Sequence, residues 1–192
     1  MQQVDMKASV PEELVACNVV VITADHKRFL CPKLVMKASL LIAEMLEENN
    51  ASGAPAGDVP LVTVDSATLT VVYEFLEHHS CYDRPVREID RPLKADLSSL
   101  VDPWDWKYVT DSLLMGKSEK HNDLLFAVLN AANFLNIPPL RDLCSGAVAN
   151  ILRNKTEDEI LEFFGISEPF TKDQENEICR DFPWLKDPPS AS

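Results

Sequence analysis

The chain has 192 residues, with 18 Lys+Arg against 31 Asp+Glu and a formal net charge of −13. Nucleic-acid and anionic-membrane binders draw their nonspecific affinity from a basic surplus, so this charge excludes polyanions as partners. At 46% apolar and 26% charged, with 5 glycines, the composition is that of a folded protein able to bury a core, not of an acidic disordered tail.

In chain order, residues 1–17 read as an N-terminal arm with neither a basic n-region nor an apolar h-region. Val19-Val20-Val21-Ile22-Thr23, the polar break Ala24-Asp25-His26 and Lys27-Arg28-Phe29-Leu30-Cys31 predict a β-hairpin. Pro32 opens a helix whose apolar stripe runs through Leu34, Val35, Ala38, Leu41, Ile42, Met45 and Leu46 and stops at Asn49-Asn50. Residues 51–60 are a loop by their Gly, Pro and Asp content. Leu61-Val62-Thr63-Val64 predicts a short strand, and Asp65 caps a helix carrying Leu69, Val72, Tyr73 and Leu76.

Residues 81–103, with Pro85, Pro92, Pro103 and dense mixed charge, read as an irregular surface connection and a seam between subdomains. The remainder reads as helical. A short helix over 104–114 and a polar loop over 115–121 precede a helix capped by Asn122 and carrying Leu125, Val128, Leu129, Ala132 and Leu135. Another starts at Pro138 or Pro139, with Leu143, Cys144, Ala147, Val148, Ile151 and Leu152. Thr156-x-x-Glu159 and Thr171-x-x-Gln174 have capping-box spacing, and Gly165 and Pro183 supply stops.

Catalytic chemistry finds little support. Cys17, Cys31, Cys81, Cys144 and Cys179 are odd in number and form no CxxC pair, which argues against a disulfide framework or a zinc finger. With no apolar run of membrane-spanning length, a chain of the cytoplasm and nucleus is expected. His78, His79, Cys81 and Asp83 form the one local cluster of metal-capable groups. Successive histidines on a helix point about 100° apart and no second cluster completes a ligand set, so an exposed helix end without a site is expected. Phosphate cradles are absent, and Glu157/Glu159 and Glu175/Glu177 sit near helix N-termini, where the dipole and solvent account for them. No cofactor, metal or catalytic residue is expected.

The unusual feature is apolar. Ile151, Leu152, Ile160, Leu161, Phe163, Phe164, Ile166 and Phe170 crowd into two short helices and a turn. Leu161 and Phe163 cannot both share a groove with Ile160 and Phe164, so a surplus is left for a partner's helices. Residues 157–192 carry 10 acidic against 3 basic groups, a solvated and partner-steering face for those helices.

The order strand, strand, helix, strand, helix, then Trp104-Asp105, then Ala131-Ala132-Asn133-Phe134-Leu135-Asn136-Ile137, then Lys155-Thr156-x-x-Glu159-Ile160 and Phe164-x-Ile166, resembles the Skp-one (S-phase kinase-associated protein) family over residues 18–184. These are adaptors of SCF-type ubiquitin ligases. The resemblance implies an α/β (α+β) chain: a BTB/POZ fold over 18–136, an F-box-binding helical extension over 137–184 and a tail over 185–192. It implies a non-enzymatic adaptor linking a cullin N-terminal domain to F-box substrate receptors, raising the effective concentration of substrate near the charged E2. BTB folds also pair, so a weak homodimer is a further expectation.

By the same resemblance, Asn133 and Phe134 match the Asn-Tyr pair facing the cullin. Phe126, Val148, Ile151, Leu152, Ile160, Phe164 and Ile166 match apolar positions at or beneath the F-box interface, and Trp184 matches the family's C-terminal tryptophan. The surplus residues Leu161 and Phe163 join the F-box set, standing where the family has polar residues. Other departures are Phe134 without the tyrosine hydroxyl, Arg141 in place of Leu, arginines over 84–94 where the family loop is acidic, an insertion over 115–121, and Glu157 in place of proline. Two rivals follow: an F-box adaptor working without a cullin, and a thiol or metal enzyme built on Cys81 with His78 or His79.

Overall fold

A computed structural model describes residues 1–4, 17–52, 58–81, 86–114, 123–166 and 170–183. Among the described residues the sheet has four strands, β1 (Gln2–Val4), β2 (Asn18–Thr23), β3 (Arg28–Pro32) and β4 (Val59–Leu61), in the order β1-β3-β2-β4. The expected hairpin is β2 with β3, antiparallel, Val20 opposite Leu30. Asp25 ties its turn to the next helix. The Thr23 hydroxyl donates to the Asp25 carboxylate at 2.6 Å, and the Ser66 N–H and hydroxyl donate at 2.9 and 2.7 Å. With Lys27 at 2.9 Å, these partners, the Thr23 hydroxyl foremost, hold the Asp25 carboxyl well below the usual carboxylate range.

Two strands depart from the sequence reading. β1, in the expected arm, adds antiparallel to β3 with Gln3 opposite Phe29. β4 lies earlier than Leu61–Val64: it pairs parallel with β2, Pro60 opposite Ile22, and the chain turns after Leu61. A proline is tolerated there because β4 is an edge strand and loses no ladder bond on its open side. Val64 leaves the ladder but stays buried, its carbonyl accepting from Ala24 N–H at 2.9 Å.

The single helix expected after Pro32 is two, α1 (Lys33–Met36) and α2 (Leu40–Ser52). Ser39 causes the break. Its hydroxyl accepts from Ile42 N–H at 3.3 Å as an N-cap and donates to the Leu135 carbonyl at 2.6 Å, so a distant partner starts the second helix. α2 then runs past Asn49-Asn50 to Ser52. α3 (Ser66–Cys81) begins as expected, Asp65 Oδ1 accepting from Thr68 N–H at 2.7 Å.

Short helices α4 (Leu97–Leu100) and α5 (Pro103–Lys107) lead into a π-helical turn, Tyr108–Leu113. The longer helices α6 (Asp123–Phe134) and α7 (Pro138–Leu152) follow. The loop over 115–121 and the Asn122 cap fall outside the described residues. α3, α6 and α7 contribute their apolar stripes to one core that includes Val21, Leu69, Leu125, Ala132, Leu140 and Cys144. Burial raises the Cys31 and Cys144 thiols to about 12, and raises the Tyr108 phenol well above its ordinary value.

The described part of that connection, residues 86–103, packs on the first unit rather than forming a seam. Val86, Ile89 and Leu93 pack against the core. Leu97 N–H donates to Asn150 Oδ1 at 2.9 Å and Arg153 Nη2 to the Lys94 carbonyl at 3.2 Å, so the segment is strapped to α7. The first compact unit accordingly runs Met1–Asn154, past the 136/137 boundary expected from sequence, because α7 buries Leu140, Leu143 and Ala147. The second unit, Lys155–Ser192, contains α8 (Glu157–Phe163) and α9 (Lys172–Asp181), both opened by complete capping boxes at Thr156 and Thr171.

Candidate functional site

The cluster read as an exposed helix end is packed instead. His78 stacks on Trp104 with ring centroids 3.7 Å apart, and His79 Nε2 lies 2.9 Å from Asp105 Oδ1, which is 1% exposed. The two rings hold the end of α3 against α5 and diverge at 88°. Asp83 and the Cys81 side chain lie outside the described residues. Among the described residues no group of three His, Cys, Asp or Glu can hold a metal, and no helix is long and apolar enough to cross a membrane.

The motif Ala131 to Ile137 has a local physical meaning. Ile137 N–H donates to the Ala132 carbonyl at 2.8 Å and Asn136 N–H to the Asn133 carbonyl at 3.2 Å, with Asn136 at φ 52°. This is a Schellman stop with asparagine at the left-handed position, and Pro138 then starts α7. Buried Ala132 and Ile137 close it on the core side, which turns Asn133 and Phe134 outward; Phe134 is 38% exposed. Leu40 N–H donates to the Asn136 carbonyl at 3.2 Å, so exposed Leu40 stands at the same junction. Sequence reading missed Ser39 and Leu40, although a serine immediately before a helical stripe is a usable N-cap signal.

Phe126 lies on the same face of α6 as Asn133, two turns or about 10 Å nearer the helix start, and is half-buried. On α7, Val148, Ile151 and Leu152 are half-buried on one stripe, with Val148 and Ile151 packed partly on the core. Their spacing brings them together as expected. Arg141, on the first turns of α7, donates to Asp142 Oδ1 at 3.3 Å.

In the second unit neither helix has a buried residue. Phe164 is 46%, Ile166 49% and Phe170 64% exposed. α8 ends on a second Schellman turn: Gly165, at φ 68°, donates its N–H to the Glu162 carbonyl at 3.0 Å, and Ile166 N–H donates to the Leu161 carbonyl at 2.8 Å. Leu161 and Ile166 line one shallow groove of about 370 Å³ rimmed by Asp158 and Glu162. Half-buried Leu161 thus sits where such turns place their apolar pair, which accounts locally for part of the surplus. Phe163 packs edge-to-face on Phe164 at 5.1 Å, leaving Ile160, Phe163 and Phe164 as the apolar stripe of α8. Trp184 lies outside the described residues.

Comparison with known proteins gives these surfaces a context. Family models described as "Skp1 family, tetramerisation domain" and "Skp1 family, dimerisation domain" match residues 18–81 and 138–185. The chain is 32% identical to Suppressor of kinetochore protein 1 of Schizosaccharomyces pombe, covering 86% of this chain and 96% of that protein. The chain belongs to the Skp1 family. The S-phase kinase-associated protein 1 homolog of Tetrahymena thermophila is 34% identical, covering 80% of this chain and 84% of that protein. E3 ubiquitin ligase complex SCF subunit sconC of Arthroderma benhamiae is 30% identical, covering 90% and 98%. Like other Skp1-family chains, this is a non-enzymatic adaptor with a BTB/POZ-like α+β fold.

Proposed function

We propose that this Skp1-family chain is the adaptor of an SCF-type ubiquitin ligase, joining a cullin to an F-box substrate receptor. The observation that carries the reading is the second unit: capped, stably terminated helices that bury none of their own residues and present Phe164, Ile166 and Phe170 at 46–64% exposure. Short helices without a core require an apolar partner. The F-box helices meet Val148, Ile151 and Leu152 of α7, Phe126 of α6, and Ile160, Leu161, Phe163, Phe164 and Ile166 of the second unit, with Trp184 closing the set. The cullin meets Asn133 and Phe134, with Leu40 beside them. The name of the sconC relative, an SCF subunit, supports this assignment.

In this reading the BTB/POZ-like body lies in the first unit, with residues 2–4 added to its sheet, and residues 137–184 carry the F-box contacts. A weak homodimer through the apolar helices competes with F-box binding, in line with the family description over 138–185. The adaptor works in the cytoplasm and nucleus, which a fluorescent fusion tests directly. One observation favours a cullin-independent variant of this role: Phe134 offers no hydroxyl at the cullin face, a loss of about 0.5–1.5 kcal/mol against a tyrosine. Affinity purification with mass spectrometry decides between them. F-box proteins together with a cullin support the ligase role; F-box proteins without cullin at physiological concentration overturn it in favour of the variant.

A further inference from the structure

The strap over residues 86–97 seats on α7 at Gly146. A Cβ built there would stand 3.1 Å from Leu97 Cδ1 and 3.6 Å from Ile89 Cδ1, so the absence of a side chain lets the strap lie this close to the helix. Polar clips hold it on either side of that notch: the Arg91 guanidinium pairs with Asp142, and Leu97 N–H donates to Asn150 Oδ1. Between the clips a groove of about 200 Å³ stays open, with Ile89 and Leu93 as its strap wall and Ser145, Gly146 and Ala149 as its helix wall. Ile89 and Leu93 are only half-buried, and Ser145 and Ala149 are exposed, so the groove is a largely apolar slot open to the surface. Helix geometry places it beside the stripe of Val148 and Leu152. Ser145 is three residues before Val148 and Ala149 three before Leu152, the spacing of neighbours on a helix surface.

We propose that this slot is a side-chain pocket of the F-box docking surface, taking one apolar side chain of leucine or methionine size from the receptor. The inference rests on the reading of Val148, Ile151 and Leu152 as the F-box stripe. A receptor helix laid on that stripe reaches the slot by one step across α7, because neighbouring side-chain rows are about 5–6 Å apart. The slot has the volume of roughly seven waters at about 30 Å³ each, enough for a side chain but not for a helix about 10 Å across. Its occupant would bury the faces of Ile89 and Leu93 that the strap leaves in water. Arg91 and Asp142 compensate each other's charge beside it, which favours an apolar group over a charged one.

The test uses the full chain and an F-box protein recovered with it by affinity purification. Ile89→Ala removes part of the strap wall, and Ser145→Leu fills the slot from an exposed helix position. Isothermal titration is expected to show each variant binding the F-box protein roughly ten-fold more weakly, with cullin binding unchanged, at a temperature where circular dichroism matches the parent's. Glu88→Ala, on the strap but outside the slot, is expected to bind like the parent. Methyl NMR of the unaltered chain reads the contact directly: the Ile89 and Leu93 methyl resonances are expected to shift when the F-box protein is added. Parent-like affinity in either variant, or methyl resonances that stay in place as the F-box protein binds, overturns the proposal and leaves the F-box reading standing. Methyl shifts that follow the chain's own concentration instead would assign the slot to a second copy and overturn it as well. A parent chain that recovers no F-box protein overturns both readings.

Discussion

Replacing Ser39 with alanine tests how the end of α6 that carries the proposed cullin contacts is held. Ser39 is 0% exposed, and its hydroxyl both caps α2 through Ile42 N–H and donates to the Leu135 carbonyl at 2.6 Å. Loss of an N-cap costs about 0.5–2 kcal/mol. The buried carbonyl left without its donor costs about 1–3 kcal/mol more. The two terms share one hydroxyl and do not add fully, so Ser39→Ala is expected to lower the unfolding free energy by about 2–4 kcal/mol. Urea titration monitored by circular dichroism measures the shift in midpoint at constant m-value. Because Leu135 follows Phe134 directly, the variant is also expected to weaken cullin binding at temperatures where it is fully folded, with F-box binding retained. A stability loss below about 0.5 kcal/mol would refute the reasoning, since neither the cap nor the buried carbonyl would then depend on this hydroxyl.

Three further outcomes follow from the same geometry. Buried Cys31 and Cys144, with thiols raised to about 12, are expected to stay unmodified by iodoacetamide at pH 8 until denaturant is added, whereas exposed Cys17 reacts in the native protein; peptide mass spectrometry reads each site. The Glu159 carboxyl is held below its ordinary value by the Thr156 N–H, then by the Thr156 hydroxyl. Its contribution to α8 is therefore complete above the unfolded carboxylate pKa of about 4.3 and is lost as pH falls through the lower folded value, which amide exchange at Thr156 follows. Gly165 has nothing within 4 Å of a built Cβ, so Gly165→Ala meets only the positive φ. A cost of about 1–2 kcal/mol local to α8 is expected in amide exchange, with weaker F-box binding and an unchanged midpoint for the first unit.

What the sequence disclosed was what is locally encoded. The hairpin follows from a β-branched run against a polar break, and both capping boxes from a Thr with Glu or Gln three residues on; each is closed by neighbours in the chain. The split of the first long helix was not legible as a stripe, because its cause, the Leu135 carbonyl, stands 96 residues away from Ser39. β1 was hidden for the same reason: Gln2-Gln3-Val4 has no alternation, and its pairing is decided by the edge that β3 leaves open. His78 and His79 looked solvent-facing because the partners that bury them, Trp104 and Asp105, belong to another element. At the candidate site, the exposed positions Phe134, Phe164 and Ile166 were readable from the motif, but the local role of Leu161 required the turn at Gly165 to be seen.

The proposed adaptor role requires two separate surfaces in one chain, and reconstitution tests that directly. The chain is mixed with an F-box protein and a cullin N-terminal domain, and complexes are resolved by size exclusion with mass detection. The account predicts a ternary complex, loss of only the F-box protein with Phe164→Glu and Ile166→Glu together, and loss of only the cullin with Phe134→Glu. Failure of the unaltered chain to bridge the two, or loss of both partners from either variant while its circular dichroism is unchanged, would contradict it.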